Sequence, residues 1–184
     1  MIEEHWLPRP SFVLAPGTEA MFEAAYDQVL LADGGTVDPP APTWAFLCWL
    51  TDTKQLLLHG TADPGIRRFE PRTPRDYSAD AFSKQKAVFA AGDGIWALFY
   101  AIVERQPGMR FLNGALQFSD TAGVLSDMHY FFSVTRELLP AQPWRDGSVY
   151  ILPRKGFTQQ APYELAGRTV HEPHWAAPST VKPL

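Results

Sequence analysis

An α+β fold, with helices toward the N-terminus and a mixed, mainly antiparallel sheet split in two, is what this sequence predicts. Three observations predict it. Apolar residues recur at helical spacing in two early segments. Two short apolar runs, Gln55 to His59 (QLLLH) and Lys86 to Ala91 (KAVFAA), flank a long polar stretch. The second half holds β-rich segments separated by turn residues.

The elements follow in order. Residues 18–31 (TEAMFEAAYDQVLL) place Met21, Phe22, Ala25, Val29 and Leu30 at helical spacing, opened by Thr18 after Pro16-Gly17. The Gly- and Pro-rich residues 32–42 (ADGGTVDPPAP) end that helix. Thr43 is expected to cap a second apolar helix reaching about Leu50. The run QLLLH closes at Gly60 and is too short for a helix, so a buried strand is expected, ending at His59. From Ala62 to Lys84 the chain is polar, with Pro64, Pro71 and Pro74, and should be a long surface loop with at most one helical turn; ordered loops of that length are usually functional. After the strand KAVFAA, Asp93 offers a side-chain oxygen to the open N–H groups of a helix from Gly94 to about Glu104. Ile95, Phe99 and Ile102 share one face of it and Trp96, Tyr100 and Val103 the next, so it must be buried. Phe111 to Phe118, His129 to Val134 and Ser148 to Leu152 should form an antiparallel sheet, the last preceded by the turn Asp146-Gly147. Beyond Gly156 only an edge strand near Arg168 to His171 is expected.

Composition bounds the function. At 184 residues the chain fits one domain, 1–184, and 46% hydrophobic residues suffice for a sizeable core. A net charge of −4 gives no overall attraction to phosphate backbones; Arg67, Arg68, Arg72 and Arg75 form the densest basic strip. The single cysteine, Cys48, lies in the apolar run WAFLCWL as a small hydrophobe, so no intramolecular disulfide and no disulfide-linked partner is expected. Met1 to Arg9 has no apolar leader core and no run approaches the ~18 apolar residues of a membrane span, so a cytoplasmic protein is expected. Gly-x-Ser-x-Gly, P-loop and complete Gly-x-Gly-x-x-Gly dinucleotide motifs are absent from the sequence.

Leu56-Leu57-Leu58-His59-Gly60-Thr61 is the most informative string. An imidazole at the end of a buried strand sits at the sheet rim, and a following glycine lets a ligand approach the backbone. Read from these residues alone, the simpler role for His59 is a core hydrogen-bonding group, with Gly60 in a turn.

Together with Val88-Phe89-Ala90 and the helix after it, this string resembles the ADP-ribosyltransferase superfamily, in the branch of poly(ADP-ribose) polymerases and diphtheria-type toxins. His59, Gly60 and Thr61 match a His-Gly-Ser/Thr strand, and Val88-Phe89-Ala90 match a Tyr-Phe-Ala strand with valine in place of tyrosine. The resemblance covers the stretch from about Gln55 to Arg105. It implies the split sheet of that fold and an NAD-utilising mono-ADP-ribosyltransferase-like activity, with the acceptor open. It further implies that His59 holds a ribose hydroxyl, that the Gly60 backbone grips the nicotinamide carboxamide, and that Phe99 or Tyr100 closes over the ring. Cleavage of the N-glycosidic bond develops oxocarbenium character that a carboxylate stabilises. Glu172 is the best-placed late glutamate, with Glu164 and Glu137 as alternatives. Arg67 or Arg68 would pair with the pyrophosphate. A domain with the same cleft and no such carboxylate would bind a nucleotide or a protein without turnover.

His171-Glu172-Pro173-His174 draws attention as a metal motif but lacks further ligands, and the proline interrupts a helix, so no metal is expected and exposed polar residues are the simpler reading. Trp44, Trp49, Trp96, Phe99, Tyr100, Tyr130, Phe131 and Phe132 read as core, whereas Trp144 beside Arg145 should be exposed.

Overall fold

The structure is a computed structural model that describes residues 5–74 and 80–184; Arg75 of the basic strip lies outside them. Helix α1 spans Thr18–Leu31 and buries Phe22 and Ala25, a narrower stripe than the spacing suggests because Met21 and Leu30 remain exposed. Helix α2 spans Thr43–Asp52. Its cap is the extended Pro42 with no side-chain hydrogen bond, so Thr43 is the first helical residue rather than the cap. Helix α3 spans Gly94–Ile102, and the Asp93 carboxylate accepts a hydrogen bond from the Trp96 amide at 2.7 Å, as its position ahead of the apolar run requires. No helix among the described residues is long and apolar enough to cross a membrane.

The described strands make two five-stranded sheets, antiparallel throughout rather than mixed. Their ranges are β1 Leu7–Pro8, β2 Leu57–Thr61, β3 Val88–Ala91, β4 Phe111–Ser119, β5 His129–Val134, β6 Ser148–Leu152, β7 Thr158–Gln159, β8 Tyr163–Leu165, β9 Arg168–His171 and β10 His174–Ala177. One sheet runs β1-β5-β4-β9-β8 and the other β6-β2-β3-β10-β7. Two expectations are corrected here. The strand Ser148–Leu152 does not join its sequence neighbours but pairs with β2, from Leu57↔Leu152 to Thr61↔Ser148. Arg168–His171 is not an edge but lies between β4 and β8.

Helix α3 is the keel between the layers. An ideal Cβ on Gly60 would lie 1.9 Å from the Ala97 carbonyl oxygen, and one on Gly94 would lie 2.4 Å from the Cys48 amide nitrogen. The helix therefore rests backbone to backbone on β2 at one glycine and on α2 at the other. Its remaining large side chains fill the core with Phe22, Leu50, Leu58 and Tyr130. Each such burial is worth about 1.5–3 kcal/mol. A polar knot closes the same region. Arg9 reaches Asp93 and Asp52, each at 2.6 Å, and donates to the Tyr130 hydroxyl, which donates to Asp93 at 2.7 Å. Asp93 is inaccessible to solvent. Burial and the Asp93 charge hold the Tyr130 phenol well above its ordinary range.

Candidate functional site

Strand β2 runs on to Thr61 instead of ending at His59, and it is paired with β6 along its whole length. The opening is lateral: pairing between β2 and β3 is confined to Leu58↔Ala91. Past that point the side chain of His59 takes over, with Nδ1 donating to the Phe89 carbonyl oxygen at 2.7 Å. Because a carbonyl only accepts, this bond sets the neutral tautomer with the proton on Nδ1 and leaves Nε2 as an acceptor. Burial holds the imidazole below its ordinary pKa despite that bond, and the positive charge of Arg105 pushes the same way. Its ring packs against Phe69 at 4.7 Å between centroids.

The other side of β3 meets β10, where His174 faces Ala91 in register. The His174 ring lies 5.2 Å from Phe89, 5.1 Å from Phe82 and 5.5 Å from Trp96 between centroids, and its Nδ1 is 2.9 Å from the side-chain oxygen of Gln160. Trp96 donates to Asn113 and is followed along the helix by Tyr100, which borders Phe111, over whose ring the Arg105 guanidinium sits at 5.0 Å. Two imidazoles thus bracket Phe89, one through its carbonyl and one through its ring. An aromatic wall continues from the second to a cation.

Several expected site residues stand elsewhere, His59 among them: Leu58 and Gly60 face α3, so the imidazole between them turns to the opposite face of the sheet, against Phe69. Gly60 is filled from the helix side by the α3 backbone, so its missing side chain serves packing and no ligand approaches it across that face. Phe99 is buried, stacked on Phe132 at 4.7 Å, and turned toward the other sheet; of the two aromatics only Tyr100 joins the wall. The Thr61 hydroxyl accepts from the Asp63 amide in a local turn. Arg68 is exposed and paired with Glu70 at 3.2 Å, and Arg67 lies over Gly34 in the connection after α1. The cation that acts on His59 is Arg105, which sequence reasoning passed over. Among the late glutamates, Glu164 is exposed and accepts from Thr169, and Glu137 is exposed in the 3-10 turn Arg136–Ala141. Glu172 lies between β9 and β10, half-buried, with its carboxylate accepting from the Tyr163 hydroxyl rather than from His59. Burial, with the nearby Asp80 charge, raises its pKa although the Tyr163 bond opposes this.

His174 is the principal residue missed. The reading of the His171–His174 motif as exposed polar residues is overturned: Pro173 is buried and His174 half-buried among rings. His171 turns instead to Ser119. Cys48 is buried, and desolvation pushes its thiol up to about 12, which makes it inert as a nucleophile. Trp144 is exposed as expected.

No known protein family, characterised protein or solved structure matches this chain. The site therefore has to be read from its own chemistry.

Proposed function

We propose that the chain binds NAD or a related nicotinamide nucleotide along the wall from His174 through Trp96 and Tyr100 to Arg105 and acts on it as an ADP-ribosyltransferase-like protein. The observation that carries this reading is the His174 ring set against Phe89 and Trp96, continued by Tyr100 and Phe111 and ending at Arg105. His59 lies on the other face of the sheet, against Phe69, and ties β2 to β3 through the Phe89 carbonyl instead of facing the nucleotide. The rings of Tyr100 and Phe111 suit stacking on a planar base, and Arg105 suits the pyrophosphate. In the transfer step the bond between ribose C1′ and the nicotinamide nitrogen breaks, and its electron pair leaves with nicotinamide. The cation left on the ribose is met by an ionised Glu172 once Tyr163 releases it, and an acceptor nucleophile then bonds to C1′ and gives up its proton to water.

NAD should raise the melting temperature of the wild type, since a ligand that binds only the folded state stabilises it. Tyr100→Ala should lose that rise, while Phe99→Ala should lower the baseline melting temperature and keep it. Nicotinamide release should be measurable in the wild type and absent in Glu172→Gln. A rise in melting temperature unchanged by Tyr100→Ala would place the nucleotide elsewhere.

One observation favours a second reading, nucleotide binding without turnover. The Glu172 carboxylate is held by Tyr163, and the residue that β10 presents to Phe89 is an imidazole. NAD would then stabilise the wild type with no nicotinamide released.

A further inference from the structure

Strand β10 has a second face. Side chains alternate along a strand, and Trp175, next to His174, points into a cavity of about 500 Å³ at the seam of the two sheets, bordered by Arg9, Asp52, Gln117, Asp127 and Arg154. This volume is within the range of small-molecule sites, and its wall is polar.

Two solvent-exposed charged side chains on that wall have no ionic partner among the described residues. The Arg154 guanidinium lies over the Trp175 ring, 4.2 Å from its centroid, and donates to the side-chain oxygen of Gln55. No carboxylate among the described residues lies within 4.0 Å of it. The Asp127 carboxylate likewise has no cationic partner within that distance among the described residues, and the two do not pair with each other. Arg9, by contrast, is matched by Asp52 and Asp93. The backbone adds an independent sign. Gln55 holds a φ of 55°, a left-handed conformation that costs a non-glycine residue free energy. Its side chain there spans from the Asp52 carbonyl oxygen to Arg154, so a strained residue fixes the orientation of the guanidinium.

We propose that this cavity is a binding site for a zwitterion, the free form of a short peptide, with its carboxylate on Arg154 and its ammonium on Asp127. The planar fork of Arg154 suits a carboxylate, and an aromatic face fixes the fork's plane. The site is separate from the nucleotide wall, because it uses the opposite face of β10.

The test is a melting-temperature series with glycine oligomers from diglycine to pentaglycine at millimolar concentration. Each added residue lengthens the span between the charges by about 3.3–3.6 Å. A fixed separation of the two protein charges should give a rise that peaks at one length. The oligomer of that length should lose its effect when its amine is acetylated, and again when its carboxylate is amidated. Arg154→Gln and Asp127→Asn should each abolish the rise; Asp127 is exposed, so its replacement leaves the core intact. No rise with any oligomer, a rise independent of length, or one retained by both variants would overturn the proposal. Full activity of the acetylated oligomer would reduce the site to one for simple anions and would equally overturn it.

Discussion

His59 behaves as a group adapted to stay neutral. Its folded pKa lies below the ordinary value because burial outweighs the bond to the Phe89 carbonyl. The unfolded chain takes up a proton near pH 6.5, whereas the folded chain resists until lower pH. The stability associated with this residue is therefore present above about pH 6.5 and is lost as pH falls through the folded pKa. Unfolding measured across that range should show a shallower acid limb in His59→Gln. Glu172 has the opposite sign. Its folded pKa is raised, so the protonated acid is the form the fold prefers, and the penalty appears as pH rises through the folded value. Glu172→Gln should therefore be more stable than wild type at neutral pH, with the difference closing below the ordinary carboxylate pKa of about 4.3. The same variant should abolish nicotinamide release, so stability and turnover would move in opposite directions at one position.

At the scale of elements, the seat of α3 on β2 is decisive. A methyl group on Gly60 would collide with the Ala97 carbonyl, which is backbone and cannot swing aside. Gly60→Ala should cost about 1–3 kcal/mol or more in urea unfolding, whereas a glycine kept for ligand access would tolerate the methyl group without such a loss. The contrast shows what the residue pattern reveals and where it stops. The helices at 18–31 and 43–52, the Asp93 cap and the strands His129–Val134 and Ser148–Leu152 were legible because periodicity and capping are local. Sheet membership is not local. Nothing in Ser148–Leu152 says that it pairs with β2 across almost a hundred residues. Strand β10 escaped notice because Pro173 and Pro178 bracket it and its four residues, His174 to Ala177, carry no alternation strong enough to stand out. With β10 went His174 and Trp175. Of the candidate wall, Tyr100 was named from the sequence, while Arg105 was hidden because its place beside Phe111 depends on the exit of α3 toward β4.

Across the whole molecule, the Arg9–Asp93–Tyr130 knot joins the N-terminal segment, the start of α3 and the β5 strand. Removing Asp93 leaves the half-buried Arg9 and the buried Tyr130 without it and also uncaps α3. Asp93→Ala should lower stability by about 3–5 kcal/mol, as breaking a buried pair does, read as a lower urea midpoint at an unchanged slope. Arg9→Met should also be costly, because it leaves the fully buried Asp93 carboxylate without its cation.

His174 and Trp175 are covalent neighbours that serve opposite hollows. A shift of this strand by a single residue against β3 would exchange them, placing an indole among the rings at Phe82 and an imidazole beneath the guanidinium of Arg154. One deletion in the Glu172-Pro173 hinge would thus scramble both recognition surfaces together, and neither can drift in register without carrying the other along.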